Sequence, residues 1–391
     1  MTKNNKNFFK NKKHSGRGRK LFLPLCLAAA FLFIISAVIF IAYSNRDTET
    51  DPSVKPDTEE IPPLTEEPSV SDNDTEPEKP PVSYPKPEYN LTLEEIYVPL
   101  ENISREYRIA WVSDLHLITD HEPGGISDGS LVQVIKRYNT LAVTQDGVHA
   151  EELWPDIVKC LNTGDYDAVI FGGDMMDYCS VSNMNALKEG YENLRYDKDQ
   201  ILYIRADHDY GAWYVGDNFT QLDIYDLHEA LDGDDPTKKY LDMGEFVVIG
   251  INNSTQNITE ENLSIVESQY EKAAAENKPV IAVTHVPYGS DTDPTLETLS
   301  MEVRNKEYYW FGQWQPNEPM QRYLDLLFCE DTQVKQVLAG HLHAPWDGMI
   351  TKQLREHIFS PAFGGTIGVI HFVPEGTDAD TSTYHTRKYY S

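Results

Sequence analysis

The chain of 391 residues contains 63 acidic and 33 basic side chains, a formal net charge of −30 at pH 7. A protein this acidic repels polyanions at long range, so nucleic acid is excluded as an expected partner. The length suffices for one large domain or two. Only four cysteines are present, so a disulfide framework does not define the fold.

The charge is distributed unevenly at the start of the chain. Residues 1–20 contain eight basic residues and no acidic one, and the next segment begins at Leu21 and ends at Tyr43 without a charge in its 23 residues. As a helix this segment would be about 35 Å long, enough to cross a bilayer core of about 30 Å. We predict a single transmembrane signal-anchor helix over residues 21–43. The alternative is a cleaved signal peptide, whose apolar segment would have only about 7 to 15 residues.

The flanking charges predict the orientation of this anchor. Lysine and arginine stay on the cytoplasmic side of a membrane, so residues 1–20 form a basic cytoplasmic tail and the rest of the chain lies outside. Residues 44–89 are rich in Pro, Glu, Asp, Thr and Ser. This composition cannot bury enough apolar surface to fold, so we expect a disordered acidic linker. The sequence therefore predicts a single-pass cell-membrane protein with an extracytoplasmic domain over residues 90–391.

The domain over residues 90–391 alternates short Val- and Ile-rich segments with helical patterns, which is typical of an α/β fold. The predicted strands cover residues 96–100, 107–113, 168–171, 201–204, 280–284, 334–339 and 367–372. Leu131, Val132, Ile135 and Tyr138 share one face of a predicted helix. Pro155 is placed to begin another helix, which Gly164 ends. Further helical patterns occur at residues 186–194, 264–275 and 320–328.

Five of the predicted strands end in residues that can bind metal ions. They lead into Asp114 and His116, into Gly172 and Gly173 with Asp174 and Asp177, into Asp207 with His208 and Asp209, into His285, and into Gly340 with His341 and His343. Each motif alone is more often a surface loop than a set of ligands. In α/β sheets the functional groups collect beyond the carboxyl ends of strands, so five such motifs in succession predict one site.

This ordered set resembles the calcineurin-like metallophosphoesterase superfamily, whose pattern is Asp-x-His, Gly-Asp-x-x-Asp, Gly-Asn-His-Asp or Glu, a single His and Gly-His-x-His. The resemblance extends over about residues 107–345. It implies two mixed β-sheets in a sandwich flanked by helices, with a dinuclear metal site at the sheet edge. It implies one metal held by Asp114, His116, Asp174 and His343. The second metal would share Asp174 and take Asp207, His285 and His341, and Asp177 would support these ligands.

The residue types agree with the implied chemistry. Two divalent ions about 3.5–4 Å apart neutralise a phosphoryl group and provide a nucleophilic water near neutral pH. Mixed imidazole and carboxylate ligands favour Mn, Fe, Zn or Co over Ca or Mg, without choosing among them. His208 is the candidate general acid for the leaving oxygen, and Asp209 is expected to hold its charge and orientation. The alternative for His208 is a purely structural role.

The third motif departs from the family pattern at two positions, with Ala206 in place of Gly and Asp207 in place of Asn. With Asp114, Asp174 and Asp207 ionised, two divalent ions would keep one positive charge, where Asn would leave two. We therefore expect tighter metal binding and weaker attraction for a phosphate dianion. The Cβ of Ala206 would also resist a positive φ. Metal-dependent phosphoester hydrolysis is the predicted function, and a catalytically silent, metal-stabilised surface receptor is the alternative.

Further residues bear on the substrate, which is predicted to be a phosphorylated small molecule or an envelope polymer. Arg205 is a candidate phosphate clamp, although a surface ion pair is favoured. Residues 308–314 form an aromatic-rich insertion. Its tryptophans, with Trp213 and Trp346, either line a cleft for a base or sugar ring or, as favoured, pack a loop on the sheet edge. Cys179 is expected to be a buried inert thiol rather than a ligand.

Overall fold

The computed structural model describes residues 87–119, 121, 126–212, 214–215, 239–290, 292–304, 316–377 and 385–388. The predicted cytoplasmic tail, the anchor helix and nearly all of the linker lie outside these ranges, as do Trp213 and the aromatic insertion at 308–314. Within the described ranges, no helix is both long enough and apolar enough to cross a membrane. All of the described residues belong to one unit, Pro80–Ser391.

Strands and helices alternate along the described residues, as expected of an α/β fold. The strands are β1 (Thr92–Leu100), β2 (Tyr107–Val112), β3 (Ala168–Phe171), β4 (Ile201–Tyr203), β5 (Tyr240–Asp242), β6 (Val247–Ile251), β7 (Val280–Thr284), β8 (Val334–Ala339), β9 (Trp346–Met349), β10 (Arg355–Ile358), β11 (Thr366–Pro374) and β12 (His385–Lys388). The α-helices are α1 (Asp128–Thr140), α2 (Ala150–Thr163), α3 (Val181–Glu192), α4 (Asp207–Tyr210), α5 (Glu260–Ala275), α6 (Thr295–Arg304) and α7 (Glu318–Phe328). Short 3-10 turns cover Lys198–Gln200 and Ala362–Gly364.

The strands form two mixed sheets, in the orders β12-β1-β11-β2-β3-β4 and β5-β6-β7-β8-β10-β9. In the first sheet β2, β3 and β4 are parallel, and β11 runs antiparallel to β2. In the second sheet β6, β7, β8 and β10 are parallel, with β5 and β9 antiparallel at the edges. Parallel strands place their carboxyl ends at the same edge of a sheet. The predicted pair of mixed sheets is therefore confirmed.

Three apolar layers hold the sheets and helices together. One layer lies between the two sheets and includes Trp111, Phe246 and Phe359. A second packs α1, α2 and α3 against the first sheet, and a third packs α5 and α7 against the second sheet. Both faces of the central strands are covered, which explains why Val280–Thr284 is buried along its whole length. The result is a β-sandwich flanked by helices.

Two predicted helices differ in detail from the structure. Helix α1 buries Val134 and packs Tyr138 against the core, whereas Val132 is 62% and Ile135 38% exposed, so the predicted apolar face was wrong at those two positions. Helix α2 begins at Ala150, and Pro155 lies inside it rather than at its start. The earlier start has a local cause, because the backbone N–H of His149 donates to Glu152 Oε2 at 3.1 Å and closes a capping interaction.

A buried polar bridge joins the two sheets. Nε2 of His357 on β10 lies 2.8 Å from Oε1 of Glu94 on β1, and its Nδ1 lies 3.0 Å from Oδ2 of Asp347 on β9. Burial alone would lower the pKa of His357, but the hydrogen bonds to Asp347 and Glu94 outweigh it and raise that pKa above its ordinary value. The bridge is therefore strongest when the imidazole is charged.

We expect a His357→Gln variant to be less stable than the wild type, by an amount that depends on pH. An imidazole whose pKa is raised on folding contributes fully below the pKa of an unfolded histidine, about 6.5, and the contribution declines as pH rises through the folded value. Removing one partner of a buried ion pair costs about 3 kcal/mol. Urea denaturation should show a loss of this size near pH 5.5 and a clearly smaller one near pH 9. Equal losses at both pH values would contradict a charged bridge.

Candidate metal centre

The loops that follow five strands meet at one edge of the sandwich. These loops follow β2, β3, β4, β7 and β8, the strands that precede the five sequence motifs. Among the described residues, side-chain nitrogen and oxygen atoms lie within 4.8 Å of one another in three groups. Two of them consist of candidate ligands, Asp114 with His116 and His343, and Asp174 with His285 and His341, and the third joins His116 to Asp177 and His208. The structure therefore brings together six of the residues that the resemblance implied as metal ligands.

The first group is built around Asp114. Its Oδ1 lies 3.3 Å from Nε2 of His343, and both of its oxygens accept the backbone N–H of His341 at 3.1 Å. Nε2 of His116 lies 3.0 Å from Nε2 of His343. Because Nδ1 of His116 donates to Asp177 at 2.8 Å, the lone pair on its Nε2 is directed into the group.

The second group is built around Asp174. Its Oδ2 lies 3.2 Å from Nε2 of His285 and 3.7 Å from Nε2 of His116, so this carboxylate lies between the two groups. Nδ1 of His285 donates to the backbone oxygen of Gly172 at 2.9 Å, which directs its Nε2 toward Asp174. Nδ1 of His341 lies 3.3 Å from the same Nε2. The two groups therefore share one carboxylate.

The donor set fits divalent metal ions. Oδ1 of Asp174 is buried and accepts no hydrogen bond, which is costly for a carboxylate oxygen unless a cation satisfies it. Burial opposes ionisation of this carboxyl, but the His285 and His208 charges hold its pKa well below its usual range. Burial and neighbouring charges lower the pKa of His341, and they lower that of His343 to about 3. Ionised carboxylates and neutral imidazoles are the forms that bind metal. Burial opposes protonation of His285, but Asp174 raises its pKa to about 10, so a bound ion would displace a proton from this ligand.

Left-handed backbone is concentrated at the candidate ligands. The residues with positive φ include Asp114 (54°), His116 (48°), Asp174 (51°), His341 (72°) and His343 (57°). This conformation costs about 1 kcal/mol for a residue other than glycine. Backbone hydrogen bonds hold the first two loops, since the N–H of Asp114 donates to Gly173 at 2.9 Å and that of His116 to Asp174 at 3.0 Å. The ligand geometry is therefore built into the chain.

Asp177 contacts the candidate ligand His116, where the resemblance implied a supporting residue. Arg137 on α1 donates to both of its oxygens at 2.5–3.0 Å, and the hydroxyl of Tyr214 donates to Oδ2. The side chains of His116 and His208 also lie close to Asp177. Because Arg137 and Tyr214 occupy its oxygens, Asp177 orients His116 instead of facing an ion. No sequence signal identifies Arg137, because only the packing of α1 brings it to this carboxylate.

His208 is held by the backbone of Asp177. Its Nδ1 donates to the Asp177 carbonyl oxygen at 2.5 Å, and its ring lies edge to face with the His116 ring at 5.0 Å between centroids. Burial would lower the pKa of His208, but the charges of Asp174 and Asp177 raise it above its ordinary value. The imidazole is thus placed beside His116 of the first ligand group, with a bias toward its protonated form.

Asp209 is positioned differently from the sequence expectation. Its buried carboxylate accepts the backbone N–H groups of Asp174, Met176 and Ala206 at 2.9–3.1 Å. These contacts tie the turn after β3 to the start of α4. The residue expected to orient His208 therefore fixes the loop that carries Asp174, and the carbonyl of Asp177 takes the orienting contact.

The two departures in the third motif have different structural outcomes. Ala206 has a φ of −113°, an extended conformation that any residue adopts, so the expected strain at its Cβ was wrong. Its Cβ is nevertheless close to the turn after β3, because a Cβ added to Gly173 would lie 2.9 Å from it. Asp207 is exposed and belongs to none of the ligand groups. Burial lowers the pKa of His208 and of His285, Asp174 raises both, and Asp207 adds a smaller increase. The role of Asp207 as a ligand stays a prediction.

The remaining predictions concern residues around the site. Arg205 is buried, with its guanidinium 5.9 Å from the ring centroids of Tyr203 and Tyr210, so the surface position that was favoured for it was wrong. Trp346 is buried and its Nε1 donates to Thr295 Oγ1 at 3.0 Å, a packing role. Cys179 is buried, and burial raises its pKa to about 12, as expected of an inert thiol.

Several solved structures resemble the chain at low identity. A dimetal phosphatase from Danio rerio is 10% identical, with a TM-score of 0.41, and the match covers 67% of this chain and 89% of that one. The phosphopantetheinyl hydrolase of Mycobacterium tuberculosis is 12% identical, with a TM-score of 0.33 and coverages of 71% and 99%. The NAD nucleotidase of Haemophilus influenzae is 11% identical, with a TM-score of 0.35 and coverages of 72% and 49%, so the chain spans about half of that protein.

The family can be assigned from the sequence match. No similar protein is found among the curated proteins. The profile of the calcineurin-like phosphoesterases matches residues 107–345, which is more than half of the chain and includes all five ligand loops. The matched segment begins with β2 and ends just after the loop that carries His343. The chain therefore belongs to the calcineurin-like phosphoesterase family, a family of hydrolases that act on phosphoester bonds.

Proposed function

We propose that the protein hydrolyses phosphate monoesters or diesters with water activated at a pair of divalent transition-metal ions, in a domain held outside the cell membrane by an N-terminal anchor. The observation that supports this proposal most is the position of Asp174. Its carboxylate lies between two groups of imidazoles, and one of its oxygens is buried without a hydrogen bond. A dinuclear site needs such a shared ligand.

The ligands divide into two sets around this carboxylate. Asp114, His116 and His343 would hold one ion together with Asp174, and His285 and His341 would hold the second together with the same carboxylate. Asp207 is a further ligand in the proposal, and its exposed side chain would have to turn toward His285. When bound, the ions neutralise phosphoryl charge and lower the pKa of water. Mn, Fe, Zn and Co suit this mixture of imidazole and carboxylate donors.

His208 would supply the proton that the leaving oxygen needs. Its Nδ1 is engaged by the carbonyl of Asp177, which leaves Nε2 as the atom that transfers the proton. Burial opposes protonation of this imidazole, but Asp174 and Asp177 raise its pKa, which favours the protonated form that a general acid requires. Arg137 balances the charge of the buried Asp177 carboxylate, so the support for His208 and His116 stays in place.

The location and the substrate class are proposed from the sequence. Residues 21–43 support a single-pass anchor with the basic tail in the cytoplasm. The linker over residues 44–89 would hold the domain up to about 140 Å from the membrane, at about 3.1 Å per residue. Phosphorylated small molecules and envelope polymers are substrates that a domain at this distance would meet.

A catalytically silent receptor that keeps its metals for stability is the second candidate, and the charge of Asp207 favours it. One extra carboxylate beside the site weakens the attraction for a substrate phosphate. If hydrolysis has been lost, the metals should still bind and stabilise the fold, because their ligands are present. The receptor would then differ from the enzyme in turnover and not in metal content.

Metal analysis combined with an activity assay tests the proposed function. The purified chain should bind about two equivalents of Mn, Fe, Zn or Co and should hydrolyse a nitrophenyl phosphate monoester or diester. A chelator should abolish turnover, and the metal should restore it. Two bound ions without turnover on either ester would support the receptor instead. A single bound ion at saturating metal would contradict the dinuclear site.

A further inference from the structure

The loop that carries His285 is held by a buried amide side chain. Asn253 lies two residues after β6 and is fully buried. Its Nδ2 donates to the backbone oxygen of Val286 at 2.7 Å, and its Oδ1 accepts the backbone N–H of the same residue at 3.0 Å. One side chain therefore binds both polar backbone groups of the residue that follows this candidate ligand.

The register of the second sheet explains why this contact forms. Strands β6 and β7 are parallel, and their last paired residues are Ile251 and Thr284. Asn253 and Val286 each lie two residues further along the chain, beyond the last backbone pair. Because a side-chain amide offers the same donor and acceptor as a peptide group, Asn253 continues the pairing of the two strands into the loops that follow them.

The peptide group between His285 and Val286 is restrained from two sides. Its N–H donates to Asn253, and its carbonyl oxygen, which belongs to His285, accepts the backbone N–H of Gly340 at 3.0 Å. Gly340 directly precedes His341, a ligand of the same group. Removal of the Asn253 amide would deprive this N–H of its partner, and a shift of the loop would be the way to relieve that cost.

The backbone of His285 differs from that of the other grouped ligands. Five of the six candidate ligands in the two groups have a positive φ, and His285 is the exception. Its Nε2 lies 3.2 Å from Oδ2 of Asp174. Metal–ligand distances tolerate deviations of only about 0.2 Å, so even a small shift of the His285 backbone would weaken the binding of an ion by this group.

We propose that Asn253 is a positioning residue for the second metal ion, which fixes the backbone of His285 before metal binds and thereby sets the affinity of the group that contains Asp174 and His341. The inference rests on the proposed function, because it requires a second ion at this group. Contacts that hold a ligand in its orientation contribute about 10-fold to 100-fold to metal affinity. The ligands of the first group follow β2 and β8, so its affinity should not depend on Asn253.

Substitution of Asn253 by alanine tests the inference through metal binding. Calorimetric titration of the metal-free full chain with Mn²⁺ should show two binding steps in the wild type. In Asn253→Ala one step should weaken by about 10-fold to 100-fold, and the other should be unchanged. With two equivalents of Mn²⁺, EPR spectra should show the exchange-coupled signal of two neighbouring ions for the wild type and a mononuclear signal for the variant. Excess Mn²⁺ should restore most of the wild-type kcat.

Asn162 provides a matched control for the loss of a buried amide. It is also buried, its Nδ2 donates to the backbone oxygen of Asn193 at 2.8 Å, and its Oδ1 accepts the backbone N–H of Arg195 at 2.8 Å. It lies near the end of α2, which leads into the start of β3, whereas Asp174 follows the end of that strand. Asn162→Ala should lower thermal stability and leave both Mn²⁺ binding steps and the EPR signal unchanged.

Hydrogen exchange on the metal-free wild type tests the contact without a substitution. The backbone amide of Val286 should exchange as slowly as those of the adjoining strand β7, because Asn253 holds it before metal binds. Rapid exchange there would overturn the inference. It would also be overturned if Asn253→Ala kept both wild-type binding steps or weakened both equally. These results, in a wild type that binds two ions, would overturn the inference alone, whereas a wild type that binds a single Mn²⁺ at saturation would refute the dinuclear site itself.

Discussion

The Asp174→Asn variant should lose about 1,000-fold or more in turnover and about one bound metal ion per chain. Asparagine has nearly the same shape, but it replaces one oxygen by an NH₂ group that cannot ligate and removes a negative charge. Oδ2 of Asp174 lies within 3.7 Å of imidazoles from both groups, and Oδ1 is buried without a partner. Both oxygens of Asp174 are therefore expected to bind metal. Metal analysis and steady-state kinetics on the same preparation measure both effects.

Asp156→Asn is the matched control for this variant. Asp156 is also a buried aspartate, but it lies on α2, where it accepts the backbone N–H groups of Glu88 and Tyr89 at 2.5 and 2.6 Å. Its substitution should lower stability and leave metal content and kcat unchanged. Asp174→Asn with wild-type metal content and wild-type turnover would show that Asp174 is not the shared ligand.

Replacement of His208 by glutamine should lower kcat by about 100-fold to 10,000-fold while the metal content stays at the wild-type level. Glutamine can still donate a hydrogen bond, but it cannot give up a proton at neutral pH. The loss should depend on the leaving group. Nitrophenolate is a good leaving group that needs little help from an acid. The loss of kcat on a nitrophenyl ester should therefore be small compared with the loss on an alkyl phosphate.

The leaving-group dependence separates general acid catalysis from a structural role of His208. If its loss merely loosened the loops around Asp177, both esters would slow equally and metal would be lost. His371→Gln controls for the removal of a histidine, because His371 contacts Glu95 and Glu106 and pairs with Arg108 at the start of β2, at the other end of that strand from Asp114. This control should keep wild-type kcat on both substrates.

The strands that precede the site could be predicted because they are short segments rich in Val, Ile and other apolar residues. Strands β2, β3, β7 and β8 are largely buried, and a candidate ligand follows each of them within three residues. Strand β6 is equally buried but was missed, since Gly250 interrupts its apolar run. A Cβ at Gly250 would lie 2.5 Å from Ile204 Cδ1, so glycine there reflects close packing of the two sheets.

The contacts around the ligands could not be predicted, because they join residues that are distant in sequence. Arg137 reaches Asp177 only through the rotation of α1, the same rotation that buries Val134 and exposes Val132. Arg304 reaches His341 only because α6 ends beside the loop after β8. Helical periodicity identifies an amphipathic helix, but a face with few apolar residues does not determine which side turns inward. Tertiary packing determines which side of such a helix is buried.

The left-handed backbone at five candidate ligands lowers the stability of the fold in the absence of metal. Glycine would relieve the torsional strain at Asp114, His116, Asp174, His341 and His343, but it would remove the carboxylate or imidazole. Metal binding by these side chains would offset part of the strain, so removal of metal should destabilise the loops that carry them.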